Sequence, residues 1–156
     1  MKIQGKELKT RNREPIVIER QDQRFYFIAE AIVSYEEFDK LVPLPEAPMK
    51  MLPGGVQEKD LKNEEFRQRV LDYGALKTHW FVITSLKTTE GLEWDTVDYD
   101  NPDTWGNWAT DLQNSGFTAF EIDRLVEGIT KANGITTKSI EQAREDFLAG
   151  RLPTQE

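Results

Sequence analysis

The sequence predicts an α+β fold, mainly helical: a small N-terminal β-hairpin, a proline-rich arm and a C-terminal bundle of about four helices. Three observations predict it. Two β-branched and aromatic runs, Ile16-Val17-Ile18 and Phe25-Tyr26-Phe27-Ile28, flank a polar turn near the N-terminus. Pro43, Pro45, Pro48 and Pro53 fall within eleven residues. From Phe66 onward, apolar residues recur every three or four positions.

The 156 residues suit one domain with a small appendage. A chain of this length buries enough surface to fold without a disulfide or metal staple. The absence of cysteine removes disulfides, thiolate zinc sites, iron–sulfur clusters and thiol nucleophiles. Neither a run of about 20 apolar residues nor the apolar stretch of a secretion signal is found, so a soluble, intracellular protein without membrane contact is expected. The net charge of −8 is uneven. Residues 1–87 hold 15 basic and 14 acidic side chains, whereas residues 88–156 hold 5 and 14. The acidic second half repels phosphates, and no nucleic-acid partner is expected.

Residues 1–14 read as a basic flexible leader; an arm for nucleic acid or an acidic partner is the alternative. Residues 15–42 read as the hairpin plus a short helix. Ser34 and Glu37 have capping-box spacing, Tyr35, Phe38 and Leu41 follow at helical intervals, and Pro43 stops the helix. Residues 43–59 form the arm, closed by Pro53-Gly54-Gly55 and studded with Leu44, Met49, Met51 and Leu52. An extended, polyproline-like arm is expected to cover an edge of its own core; docking on a partner is the alternative.

Residues 60–150 read as the helical domain and 151–156 as a tail. Phe66, Val70, Tyr73, Leu76, Trp80 and Ile83 make one stripe on a long helix. Gly74 inside it implies a close helix crossing or a kink. Residues 92–99 read as a loop. Asn101-Pro102 starts the next helix, with Trp105, Trp108 and Leu112 inward and Gly116 at its end. Thr118 and Glu121 form a second capping box ahead of Ile122, Leu125, Val126 and Ile129, and Gly134 ends that helix. Ile140, Ala143, Phe147 and Leu148 mark a last helix ending at Gly150.

Catalytic signatures are sparse. The single histidine, His79, is read as a surface or packing residue, and no nucleophile elbow or phosphate loop occurs. No catalytic residue, cofactor or enzymatic activity is expected. Asp95, Asp98, Asp100 and Asp103 form the one metal candidate, but as an EF-hand loop they would put Asp103 where glycine is required. The acids near the helix start have a simpler use in complementing its dipole. Trp94, Tyr99, Trp105 and Trp108 cluster along the chain, either as a core seam or as a partner hot spot.

Taken together, several runs resemble the tail assembly chaperones of long-tailed phages. They are Phe25-Tyr26-Phe27-Ile28-Ala29-Glu30-Ala31, Tyr35-Glu36-Glu37-Phe38, Pro43-Leu44-Pro45-Glu46-Ala47-Pro48, Trp94-Asp95-Thr96-Val97-Asp98, Asn101-Pro102-Asp103-Thr104-Trp105 and Ala143-Arg144-Glu145-Asp146-Phe147-Leu148. The likeness covers roughly residues 15–150. It implies a non-enzymatic protein of the host cytoplasm that binds the tape measure protein, and the tail tube protein, and is released from the finished virion. It also implies a longer product of the same gene made by frameshifting. Family patterns do not fix the binding residues; Trp94, Trp105, Trp108, Met49, Met51 and Leu52 are the expected contacts on their own chemistry. A virion tail or baseplate adaptor is the first alternative, and a small metal-dependent enzyme using residues 95–103 the second.

Overall fold

The computed structural model describes residues 2–7, 11–134 and positions 142, 145 and 149. They form a mixed α+β fold. The strands are β1 (Lys2–Ile3), β2 (Lys6–Glu7), β3 (Arg13–Glu19), β4 (Arg24–Glu30), β5 (Met49–Met51) and β6 (Gln57–Lys59), paired antiparallel as three separate hairpins. The helices are α1 (Glu36–Leu41), α2 (Glu64–Ser85), α3 (Trp108–Asn114) and α4 (Ala119–Ala132), with a 3-10 helix over Pro102–Asn107 leading into α3. Of the helix expected over residues 140–150, only positions 142, 145 and 149 are described, with Gln142 and Glu145 helical. Two compact units result. One is drawn from Met1–Ile32, Ser85–Leu92 and Gly116–Glu156, the other from Val33–Thr84 and Glu93–Ser115.

In the first unit, β3 and β4 pair with Ile16 opposite Phe27 and Ile18 opposite Phe25. Alternation puts Ile16, Ile18, Phe27 and Ala29 on the buried face, against Ile122, Leu125, Ile129 and Ala132 of α4. Gly128 lets α4 approach β3, since a β-carbon there would stand 2.4 Å from Ile16 Cγ1 and Cδ1. The hairpin was expected from residue 15, but the strand begins at Arg13, because Arg11 and Arg13 both bond the largely buried Glu30 carboxylate, at 3.2 and 2.6 Å. Further forward, in the stretch expected as a flexible leader, Gln4 and Gly5 at φ of 52° and 77° turn β1 back onto β2.

The α4 start bears out its capping box. Thr118 Oγ1 accepts from Glu121 N at 3.3 Å, and Glu121 Oε2 accepts from Thr118 N at 2.7 Å. The same carboxylate takes two hydrogen bonds from Arg20, whose guanidinium also donates to Gly116 O and lies 5.1 Å from the Phe117 ring centre. After α4, Asn133 ties down the ends of the fold, accepting from Ile32 N and donating to Ser85 Oγ.

In the second unit, Phe38 of α1 is fully buried, with ring centres of Tyr73, Trp80 and Trp105 within 5.3–5.9 Å. Lys77 Nζ lies 4.2 Å from the Tyr35 ring centre, a cation–π contact that ties the entry of α1 to α2. The expected Ser34 capping box does not form. The helix starts later, with Tyr35 at its cap position, and Ser34 Oγ accepts from Glu36 N instead. Asn63 caps α2 by accepting from Phe66 N. The close crossing expected at Gly74 does not form: among the described residues nothing stands within 4 Å of a β-carbon there. The stripe is buried only at its far end, at Trp80 and Ile83, whereas Val70 is exposed.

Candidate partner-binding surface

The arm is not the continuous extended segment that its prolines suggested. Leu52 N donates to Val56 O and Asp60 N to Pro48 O, closing β5 on β6 around Pro53-Gly54-Gly55. Both glycines have positive φ, 92° and 81°, a conformation that side chains with a β-carbon strain to adopt. Lys50 faces Glu58 in the register and pairs with it at 3.2 Å. Met49 and Met51 alternate with Lys50, so both lie on the other face, and both are exposed. Leu52, the third arm contact expected from sequence, is half-buried.

The observation reaches beyond the two methionines. From Pro43 to His79 no residue is buried. The same stretch carries Leu44, Met49, Met51, Val56, Leu61, Val70 and Leu71, each 44–72% exposed. Single exposed apolar side chains need no explanation, but seven along one stretch, four of them in a strand or helix, with no buried residue among them, do. The stretch holds six basic and six acidic side chains, so the whole net charge of −8 falls outside it. A neutral apolar surface in an acidic chain places no repulsive charge against an apolar partner. The N-terminal half of α2, from Glu64 to Ala75, has only Phe66 and Tyr73 half-buried. Such a helix gains little from packing, the usual source of helix stability in proteins.

The tryptophans divide. Trp105 is fully buried beside Phe38, and its Nε1 donates to Tyr99 O at 3.1 Å. It belongs to the core seam and offers no surface to a partner. Trp94 is half-buried, with Nε1 donating to the Tyr99 hydroxyl at 3.2 Å, and burial pushes the Tyr99 phenol up. Trp108 is half-buried and donates to His79 Nδ1 at 3.1 Å. Indole is only a donor, so this bond puts any proton of a neutral His79 ring on Nε2. Gly106 packs over the same ring.

In the 95–103 loop, Asp98 and Asn101 serve local turns. Asp98 Oδ1 accepts from Asp100 N, and Asn101 Oδ1 accepts from Asp103 N. Among the described residues no three His, Asp or Glu side chains come together to hold a metal ion. The acid that organises this loop is Asp111, which the sequence did not single out. Its buried carboxylate accepts from Thr96 N at 2.9 Å and Thr96 Oγ1 at 2.7 Å. Burial alone pushes the Asp111 carboxyl up; hydrogen bonds from the Thr96 hydroxyl and the N–H groups of Thr96, Asp95 and Val97 outweigh it and leave it below the ordinary range.

Among the described residues, one concavity is a groove of about 170 Å³ between β3 and α4 in the first unit, lined by Glu14, Pro15, Val17, Arg124, Glu127 and Lys131 among others. Glu14 and Lys131 pair across it at 2.8 Å, a structural tie with no reactive group poised beside it. Among the described residues no helix is long and apolar enough to cross a membrane. No family, no curated protein and no solved structure matches the chain.

Proposed function

We propose that this chain is a non-catalytic assembly chaperone of the long-tailed phage type, acting in the host cytoplasm. Its client is the tape measure protein, with the tail tube protein as a further partner and a frameshifted longer form of itself as a companion. Residues 43–79 hold that client, with Met49, Met51, Val70 and Leu71 as contacts. The single observation that carries this reading is the absence of any buried residue across 43–79, beside seven exposed large apolar side chains. Exposed methionines suit a client surface, because an unbranched thioether adapts to irregular apolar partners. In the same reading the chain is mainly helical, and its C-terminal half forms a bundle of about four helices.

Affinity capture of the tagged chain from virus-producing cells, read by mass spectrometry, tests it. Recovery of a very long, helical, tape-measure-like protein is expected. Recovery of baseplate or connector proteins alone, or fixed stoichiometry in finished particles, would make the chain a virion component instead.

A further inference from the structure

The backbone of the arm hairpin specifies what kind of segment it takes. Hydrogen-bonded pairs fall at residues 52/56 and 48/60, so in the antiparallel alternation the pairs 49/59 and 51/57 are the non-bonded ones. The N–H and C=O groups of Met49 and Met51 therefore point outward from β5, and among the described residues nothing bonds them. The longer hairpin is covered at one of its outward pairs, 15/28, while among the described residues its outward Val17 and Tyr26 have no such cover. Its bonded pairs fall at 12/31 and 20/23, which turns Pro15 and Ile28 outward. Pro15 brings no donor to its edge. Ile28 is satisfied by Thr89, whose hydroxyl accepts from Ile28 N at 3.0 Å and donates to Ile28 O at 3.2 Å. Among the described residues the β5 edge has no such cover, and two exposed methionine side chains stand beside it.

We propose that the β5 edge is a strand-addition site, at which an extended segment of the partner pairs with Met49 and Met51. The proposal rests on the reading of residues 43–79 as a partner surface and adds the mode of binding. Charge defines the occupant further. On the reverse face Lys50 is neutralised by Glu58. On the methionine face Lys59, opposite Met49, has no carboxylate partner among the described residues. An added strand lies two inter-strand spacings from β6, roughly 9–10 Å, which a lysine and a glutamate side chain span together. The matching segment thus carries Glu or Asp opposite Met49 and an apolar residue opposite Met51. A second copy does not fit. Self-pairing would set Lys50 against its own copy, and a three-residue strand about 10 Å long covers far less than the roughly 800 Å² per partner of a stable interface.

The test is selection of random short peptides on the purified full chain, followed by affinity measurements on variants. Met51→Pro removes the outward donor while leaving every β5–β6 hydrogen bond in place, and Met51→Ala removes the same side chain but keeps the donor. Gln57→Pro makes the equivalent change on the opposite edge. Selected peptides are expected to share an acid and an apolar residue two positions apart, in the order apolar-x-acid for an antiparallel strand and the reverse for a parallel one, and to bind Met51→Pro about tenfold more weakly than Met51→Ala, the effect of one lost backbone hydrogen bond. Gln57→Pro is expected to bind like the unaltered chain, and Lys59→Glu to reverse the preference for an acid. Equal binding to Met51→Pro and Met51→Ala would overturn the proposal. So would selected peptides with helical apolar spacing, or no enrichment over an unrelated protein. No viral component enters this selection, so its failure is separate from a failure of the chaperone reading.

Discussion

Ile16 on β3 and Gly128 on α4 meet so closely that a β-carbon at position 128 would lie 2.4 Å from two atoms of the isoleucine side chain. Gly128→Ala sets two effects against each other. Alanine in place of a helix-interior glycine gains about 1 kcal/mol, and overpacking a core costs about 1–3 kcal/mol. Ile16 is β-branched and fully packed, so the cost is expected to exceed the gain and the chain to unfold at lower denaturant. In an Ile16→Ala background the same substitution is expected to do less harm or to stabilise. Strict additivity in this cycle, read by chemical denaturation, would show that the contact does not set the spacing of α4.

Thr89 bonds both backbone groups of Ile28 through one hydroxyl. Thr89→Val keeps the shape and removes both bonds, leaving a part-buried N–H and C=O without partners. A loss of about 1–3 kcal/mol is expected, with most of it restored in Thr89→Ser. Equal stability of the valine and threonine forms would mean that water serves this edge instead.

The Glu121 carboxyl is held below its ordinary range, first by the Arg20 side chain and then by the Thr118 N–H. A depressed acid contributes stability that is present above its ordinary value, near 4.5, and is lost as pH falls through its lower folded value. Denaturation midpoints are therefore expected to drop as pH falls below about 4.5, and Glu121→Gln to flatten that drop. Parallel pH profiles for the two forms would contradict the assignment.

Trp105 and Met51 were expected to act alike and should now part company. Trp105 is fully buried and Met51 is 67% exposed. Trp105→Ala is expected to cost about 3–5 kcal/mol and to lose binding only through unfolding. Met51→Asp is expected to leave the unfolding transition in place and to lose the client. Thermal melts beside capture assays separate the two.

What the sequence revealed and what it hid follow from the range of the interactions involved. The Thr118–Glu121 box, the Asn101-Pro102 start and the β3–β4 hairpin depend on residues a few positions apart, and each forms. The Ser34 box had the right spacing and lost to a bond over two residues that shifted the helix start. The β5–β6 hairpin was legible only in part. Pro53-Gly54-Gly55 announced a turn, but prolines at 43, 45 and 48 masked the short Met-Lys-Met alternation beside it. The inward side of Trp105 was legible as a core seam, but its neighbour Phe38 was not, because it is remote in sequence. Leu71 lies off the Phe66–Ile83 stripe of α2 and is exposed, but Val82, also off that stripe, is buried, so the stripe alone does not sort them.

The central claim is that residues 43–79 hold the client. The most direct measurement compares capture by the unaltered chain with capture by Met49→Asp/Met51→Asp/Leu71→Asp, in cells producing the virus. All three side chains are exposed, so the variant is expected to melt like the parent. A long helical protein recovered by the parent and lost by the variant is the expected result. The same protein recovered equally by both would place client binding elsewhere on the chain and contradict the account.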